Sequence, residues 1–114
     1  MPPSQRRSPC PVACTLDIVG DRWTLLVVRD LVLGKTTFKE FLASPERIAS
    51  NTLADRLARL VEHGLVETRA GERVDRVTYH LTAKGRTLKP LVRAIAKWGL
   101  ANVEGTRALL GGVD

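Results

Sequence analysis

The segment from Arg47 to Glu67, RIASNTLADRLARLVEHGLVE, combines apolar residues at helical spacing with polar residues that could contact a nucleic acid. At about 100° per residue, one arc of this helix carries the apolar residues Leu53, Leu57, Leu60 and Val61. The opposite arc and the N-terminal end carry hydrogen-bonding or charged side chains: Ser50, Asn51, Thr52, Asp55, Arg56, Arg59 and Glu62. Arginine can pair with guanine, asparagine with adenine, and serine or threonine with a base or a phosphate. The pattern fits either an ordinary solvated helix face or a surface that contacts DNA.

The flanking segments favour the DNA-contacting interpretation. Lys35, Thr36 and Lys39 precede the segment, and Arg69, Arg73 and Arg76 follow it in a predicted hairpin. Backbone N–H groups at the start of a helix can also hold a phosphate. Three consecutive elements therefore supply groups compatible with a phosphate backbone.

The elements that must position these residues follow from hydrophobic periodicity and from stop signals. We predict four helices, over residues 11–19, 22–34, 37–43 and 50–63. Asp21 is the expected N-cap of the second, and Thr36 or Thr37 that of the third. The second is apolar almost all round, which predicts a buried central helix. After Gly64 the period becomes alternating and predicts strands over 65–70 and 76–82. A last helix over 83–103 follows Thr82 as N-cap, and Pro90 should kink or divide it.

Two helices joined by a short turn and followed by a β-hairpin outline a winged helix-turn-helix. We therefore predict a mainly α fold with a small β-hairpin wing. Residues 1–9 are expected to form a disordered basic arm, and 105–114 a C-terminal tail. Residues 10–104 are expected to form the winged helix-turn-helix domain, which includes dimerisation helices over 10–20 and 83–103.

Length and charge are consistent with this fold. A chain of 114 residues is one small domain, and its net charge of +6 with a pI of about 10.0 suggests a polyanionic partner. Several of the cations lie close together near the C-terminus without an acid among them: Lys84, Arg86, Lys89, Arg93 and Lys97. The longest apolar runs fall well short of the roughly 20 residues that span a bilayer, and no secretory signal is evident. We expect a cytoplasmic protein without a membrane partner.

The last predicted helix provides a reason to expect a homodimer. Its apolar stripe is broad: Leu88, Leu91, Val92, Ile95, Trp98, Gly99 and Asn102. Packing within one chain is the alternative, but so small a core can hardly cover this stripe and that of the first helix as well. A twofold interface would place two copies of the 50–63 helix about 34 Å apart, which matches an inverted-repeat operator.

The order of these motifs resembles a known family. CPVACTLDIVGDRWTLLVVRDLVLG, FKEF, IASNTLADRLARLVEHGLVE, VTYHLTAKGRTLKPLV and WG, from Cys10 to Gly99, are similar to HxlR-type bacterial transcriptional regulators, relatives of the MarR group. Each motif alone is weak, and the specific feature is their order together with the Cys-Pro start and the Gly-x-x-Trp at Gly20–Trp23. Arg22 stands where the family more often has lysine, and the wing AGERVDR is short and lacks the prolines of many members.

The resemblance implies a dimeric, DNA-binding regulator. It assigns the recognition helix to residues 50–63, the wing to 69–77 and the dimer interface to helices 11–19 and 83–103. It also implies a candidate redox residue, because some members sense oxidants or electrophiles through a cysteine at the position of Cys10.

The chain has two cysteines, Cys10 and Cys14, which are too few for a disulfide framework. Cys10 precedes a helix and lies near Arg6 and Arg7, and both features favour the thiolate, although an unreactive thiol is the alternative. Cys14 is expected to be a buried small hydrophobe. A metal site that adds His63 or His80 is disfavoured, because both histidines fall on elements away from the first helix.

The sequence shows no set of residues typical of an enzyme: no paired carboxylates, no Ser/His/Asp set and no glycine-rich phosphate loop. Gly85 is interpreted as allowing close packing. We expect no cofactor. The expected partners are double-stranded DNA, a second copy of the chain and a small-molecule or oxidant effector. The alternative function is a winged helix that binds another protein and not DNA.

Overall fold

The computed structural model describes residues 6–71 and 76–107, which form six helices and one two-stranded hairpin. The helices are α1 (Pro11–Val19), α2 (Thr24–Val32), α3 (Phe38–Leu42), α4 (Ser50–Glu62), α5 (Ala83–Arg86) and α6 (Lys89–Asn102). Strands β1 (Val66–Ala70) and β2 (Val77–Leu81) lie between α4 and α5. This order confirms the predicted mainly α fold with a β-hairpin wing.

Helix α2 is the centre of the domain, as its apolar composition predicts. It contacts α4, α6 and strand β2, and it buries Val27, Val28 and Leu31. From the other elements the core receives large side chains that are almost fully enclosed: Phe41, Leu53, Leu57, Leu60 and Val66. Because α2 is surrounded in this way, it fixes the positions of α4 and of the hairpin relative to each other.

The start of α2 differs from the prediction. Helix α2 begins at Thr24, with Trp23 in the N-cap position, and not directly after Asp21. The Asp21 carboxylate still accepts the N–H groups of Trp23 (2.9 Å) and Thr24 (3.0 Å). Residues 21–23 therefore form a turn that Asp21 closes before the helix begins.

The connection between α3 and α4 is a turn over residues 43–49. Thr37 and Glu40 form a capping box that starts α3, which selects Thr37 over Thr36 as the cap. Within the turn the Arg47 N–H donates to the Ser44 carbonyl at 3.1 Å, and Arg47 itself adopts a positive φ of 58°. Ile48 is buried directly after Arg47, so the chain is anchored to the core just before α4 begins.

The hairpin has a single antiparallel register in which Glu67 faces His80 and Arg69 faces Thr78. The Tyr79 N–H donates to the Thr36 carbonyl at 2.8 Å, which ties β2 to the segment before α3. On the core side of the sheet, the Tyr79 ring meets Phe41 edge-on, with 6.2 Å between the ring centroids.

The predicted last helix is divided in two, one of the two outcomes expected of Pro90. Thr82 caps α5 by accepting the Gly85 N–H at 3.0 Å, and Pro90 lies in the first turn of α6, where its missing N–H costs nothing. The interpretation of Gly85 also holds, because a Cβ atom at this position would lie 1.9 Å from the Leu65 carbonyl oxygen. Close contact between α5 and the hairpin therefore requires glycine.

Candidate nucleic-acid interface

The outward face of α4 presents polar and small side chains to solvent. Ser50, Asn51 and Asp55 are exposed, and Thr52, Arg56 and Arg59 are half-buried along the edges of this face. Val61 departs from the prediction, because it is 40% exposed and lies outside the buried stripe of Leu53, Leu57 and Leu60. Its helical spacing places Val61 at the edge of the apolar arc, where none of the described neighbouring elements covers it.

Two exposed alanines were missed from the sequence. Ala54 and Ala58 lie on the outward face of α4, one turn apart, between the polar residues. A methyl group at such a position can contact the methyl group of thymine, and its small size allows a helix to approach a base edge closely. The signal was available in the helical spacing, since both alanines fall outside the apolar arc.

The N-terminus of α4 has no capping side chain at the N-cap position. Ala49 occupies that position, and its methyl group cannot accept a hydrogen bond. The Asn51 side-chain oxygen accepts the Thr52 N–H at 2.9 Å. The first turn of the helix therefore combines exposed polar side chains with the positive end of the helix dipole, an arrangement that favours an anion.

Arg56 is held by two carboxylates of the same chain. Its Nε donates to Asp21 Oδ1 at 3.0 Å, and its Nη1 donates to Asp55 Oδ2. The hydrogen bond to Asp21 raises the pKa of Arg56 above its ordinary value. Arg56 is predicted to meet a base, whereas here its guanidinium joins α4 to the turn before α2.

Asp21 is the centre of this contact. Burial acts to raise the pKa of Asp21, but hydrogen bonds from the Thr24 hydroxyl, the Trp23 N–H and Arg56 outweigh it and hold the pKa well below its usual value. Asp21 is therefore ionised at neutral pH, and its carboxylate stabilises the turn between α1 and α2.

The three predicted DNA contacts around α3 differ in whether they already bind other residues of the chain. Lys39 is exposed, whereas Lys35 Nζ donates to Ser44 Oγ at 2.7 Å and lies 3.9 Å from Asp30 Oδ1. Thr36 is half-buried and donates its N–H to Glu40 at 3.2 Å. Of these three residues, Lys39 is the one whose charged group projects into solvent.

Lys35 belongs to a charged network beneath the turn between α3 and α4. The Arg29 guanidinium donates to both Glu46 carboxylate oxygens, at 2.8 and 2.7 Å, and to Asp30 at 3.0 Å. Ser44 in turn donates to Asp30. The Glu46 hydrogen bonds raise the pKa of Arg29. Since Arg29 and Asp30 are buried in α2, this network fixes the turn to the central helix.

The hairpin carries two of the three predicted arginines within the described residues. Arg76 is exposed, and Arg69 is exposed and donates to Glu67 at 2.8 Å. The hydrogen bond from Arg69 lowers the pKa of Glu67, with smaller contributions from the nearby His80 and Arg86. Arg73 lies outside the described residues.

Helices α1 and α6 leave large apolar side chains uncovered. On α1, Val12 is 66% exposed and Leu16 is 52% exposed, whereas Val19 is buried. On α6, Trp98 is 64% exposed and Ile95 is 50% exposed, whereas Val92 packs into the core. Each helix therefore buries one residue, packs Ile18 or Ala96 against the core and presents further apolar residues to solvent.

Both cysteines are free thiols with different surroundings. Cys10 is exposed at the N-cap of α1, and Cys14 is half-buried with its Sγ 3.2 Å from the Ser8 carbonyl oxygen. The nearby Arg7 donates through Nε to Asp17 at 2.6 Å. Arg7 and Ser8, which lie in the predicted N-terminal arm, thus contact α1.

Two further properties of the described residues bear on function. None of their helices is long and apolar enough to cross a bilayer. Within residues 6–71 and 76–107, no group of three or more His, Cys, Asp and Glu side chains is arranged to hold a metal ion.

Known proteins share this arrangement over most of the chain. The HxlR-like helix-turn-helix family matches residues 18–107. YybR of Bacillus subtilis (strain 168), an uncharacterised HTH-type transcriptional regulator, is 35% identical over 94 residues, which cover 82% of this chain and 75% of YybR.

Solved structures with the same fold include two at appreciable sequence identity. PA1607, a candidate transcription factor, has a TM-score of 0.82 at 42% identity, covering 94% of this chain and 77% of that one. The redox regulator HypR in its oxidised form has a TM-score of 0.75 at 35% identity, covering 82% of this chain and 97% of that one. The chain therefore belongs to the HxlR-like helix-turn-helix family and is a transcriptional regulator of the helix-turn-helix type.

Proposed function

We propose that the protein regulates transcription by binding an inverted-repeat DNA operator as a homodimer, with α4 of each copy in the major groove. The observation that carries this proposal is the outward face of α4, which exposes polar side chains and two alanines and begins at an N-cap whose side chain makes no capping hydrogen bond. In helix-turn-helix complexes the N-terminal half of the second helix meets the base edges.

The predicted contact residues take different roles in this proposal. Asn51 is assigned to base edges, Ser50 and Thr52 to bases or phosphates, and Lys39, Arg59, Arg69 and Arg76 to the phosphate backbone. The base contact of Arg56 stays a prediction, as do contacts from Asp55, Lys35, Thr36 and Arg73. For Arg56 to reach a base, it must first leave Asp21 and Asp55.

The homodimer is supported by the exposed apolar residues of α1 and α6. Each fully buried aliphatic or aromatic side chain contributes about 1.5–3 kcal/mol relative to the exposed state, so covering Val12, Leu16, Ile95 and Trp98 in both copies would offset a substantial cost of association. A twofold axis pairs identical surfaces and repeats α4 on one side of the assembly.

Selection of bound fragments from a random DNA pool tests DNA recognition. We expect enrichment of an inverted repeat by the wild-type chain and a change of preference at one position in each half-site for Asn51→Ala. Binding of the selected operator should weaken steeply as salt rises, because phosphate contacts release condensed cations. Lys97→Gln, on the exposed side of α6, is the control and should retain the preference. Failure to enrich any sequence would support the alternative of a protein-binding winged helix.

Regulation by oxidation of Cys10 is a second part of the proposal. Cys10 is exposed at the start of α1, the helix that presents Val12 and Leu16, so a modified Cys10 would alter the proposed dimer surface. The fold is shared with HypR, which is a redox regulator. We expect diamide to change operator affinity in the wild type and in Cys14→Ser but not in Cys10→Ser. Equal responses of Cys10→Ser and the wild type would refute the role of Cys10.

A further inference from the structure

A basic cleft lies beside the hairpin, between the end of α2 and the start of α6. Its volume is about 330 Å³, at the lower end of the range of about 300–1,000 Å³ typical of small-molecule sites. We call it the hairpin cleft, and it is lined by Leu31, Val32, Gly34, Lys35, Thr36, Arg69, Tyr79, His80, Leu81, Arg86 and Lys89.

The charge of the hairpin cleft is strongly one-sided. Lys35, Arg69, Arg86 and Lys89 line it, and no Asp or Glu is among the described residues of its wall. Lys35 also lies near Asp30 and Arg69 pairs with Glu67, so Arg86 and Lys89 supply most of the available charge. Arg86 is oriented by a hydrogen bond of 3.2 Å from its Nη1 to the Leu81 carbonyl, which leaves its other N–H groups available. Lys89 is exposed at the first position of α6. Such a wall attracts an anion.

Another part of the wall of the hairpin cleft is apolar, beside Gly34, Thr36 and His80. Leu31 and Val32 come from the end of α2, and Leu81 and Tyr79 come from β2. A phosphate or carboxylate alone would leave these side chains without a partner, whereas an anion with an apolar body would contact both parts. This combination is typical of a small-molecule pocket, in which apolar walls surround a few polar groups that orient the ligand.

A DNA duplex is a poorer occupant than a small molecule. The cleft is concave and takes none of its lining from α4, although α4 is the helix proposed to enter the major groove. Leu31, Val32 and Leu81 would face charged phosphates in a DNA complex without compensation. We propose that the hairpin cleft binds a small anionic amphiphile, a carboxylate or phosphate carried on a single-ring or two-ring apolar body.

The regulatory consequence rests on the proposed function. Arg69 and Lys35 line the hairpin cleft and also lie next to the proposed DNA contacts, so a bound anion neutralises positive charge beside the DNA backbone. Occupancy of the cleft therefore weakens DNA binding. By thermodynamic linkage, DNA weakens binding of the anion by the same factor.

Calorimetric titration of the full chain without DNA tests the site itself. The probes are 1-naphthoate, 1-naphthyl phosphate, inorganic phosphate and the neutral 1-naphthalenemethanol. We expect saturable binding of one naphthoate or naphthyl phosphate per chain, with the tighter of the two identifying the head group. Inorganic phosphate and the neutral alcohol should bind at least tenfold more weakly, because the first lacks the apolar body and the second lacks the negative charge. Absence of binding by both charged naphthyl probes would overturn the proposal, as would equal binding of inorganic phosphate.

A matched pair of double variants locates the binding. Arg86→Gln with Lys89→Gln removes two cleft charges, and Arg93→Gln with Lys97→Gln removes the same types of charge from exposed positions of α6 outside the cleft. We expect at least a tenfold loss of naphthoate affinity in the Arg86→Gln, Lys89→Gln variant and less than a twofold loss in the Arg93→Gln, Lys97→Gln variant. Equal losses, or full affinity in the first variant, would overturn the assignment to the cleft.

A separate titration of operator DNA distinguishes this proposal from the proposed function. Saturating naphthoate should weaken operator binding by the wild type at least fivefold and should have no effect on the Arg86→Gln, Lys89→Gln variant. Unchanged DNA affinity with confirmed naphthoate binding would overturn the regulatory consequence alone. If the chain binds no operator, the proposed function fails, whereas the calorimetry still tests whether the hairpin cleft binds the anionic probes.

Discussion

Arg56 of α4 donates from Nε to Asp21 Oδ1 at 3.0 Å, across 35 positions of sequence. The same carboxylate accepts the N–H groups of Trp23 and Thr24 at the start of α2. One aspartate therefore orders the turn between α1 and α2 and holds α4 against it. The contact links the turn that follows α1 with the helix proposed to enter the major groove.

A double-mutant cycle measures the strength of this link. We expect Asp21→Asn and Arg56→Gln each to lower the free energy of unfolding, with a coupling of about 1 kcal/mol between them, because both side chains are partly shielded from water. Urea denaturation of the four proteins gives the coupling. If the two losses are strictly additive, the ion pair does not hold α4. As a control, Arg69→Gln removes the exposed pair with Glu67 and should change stability by less than about 1 kcal/mol.

Acid should remove the contribution of Asp21. Since its pKa is lowered in the folded state, its stabilisation is complete above the unfolded pKa of about 3.9 and declines as the pH falls toward the folded value. We therefore expect the stability difference between the wild type and Asp21→Asn to shrink as the pH falls below about 4. Denaturation midpoints between pH 7 and pH 2.5 test this. A difference that stays constant or grows in acid contradicts the assignment.

The proposed dimer surface predicts a selective effect of charge. Trp98→Lys and Ile95→Lys place an ammonium group among apolar residues that the partner would cover, so we expect both variants to be monomeric in sedimentation equilibrium. Leu33→Lys is the matched control, because Leu33 is 45% exposed at the C-cap of α2 and belongs to neither α1 nor α6. A dimer that survives both α6 substitutions, or one that Leu33→Lys disrupts equally, would exclude this interface.

The buried network under the helix-turn-helix should be costly to break. Asp30→Asn removes the charge that meets Arg29 and Lys35, and we expect a loss of about 3 kcal/mol because the buried Arg29 keeps Glu46 alone as a charged partner. Thermal and urea unfolding measure the loss. Asp17→Asn, which removes only the ion pair with the exposed Arg7, should cost about 0–1 kcal/mol. Comparable losses in the two variants would show that the network does not brace the turn.

The sequence predicted the elements well because their signals are local. Leu53, Leu57 and Leu60 repeat at helical spacing, Gly64 stops α4 with a positive φ of 72°, and alternation begins directly after it. Thr82 and Pro90 mark the starts of α5 and α6 through the chemistry of caps and of the missing proline N–H. Such features depend on neighbours only a few positions away.

The candidate site was less predictable because its partners are distant in sequence. A helical wheel places Arg56 opposite the apolar arc, but it does not show that the α1–α2 turn brings Asp21 beside that edge. Lys35 likewise looked free, although the turn after α3 returns Ser44 to its ammonium group. The hairpin cleft was also beyond the sequence, since its wall combines α2, β2 and the start of α6.

The most direct test of the central claim is hydroxyl-radical footprinting of the full chain on its selected operator. If two copies of α4 bind together, we expect two protected segments related by a dyad on one face of the duplex, with centres about 10 base pairs apart. Trp98→Lys should lose this paired protection at concentrations where the wild type saturates the operator. Protection of a single segment by the wild type, or an unchanged pair in Trp98→Lys, would contradict the claim that two copies of α4 act together.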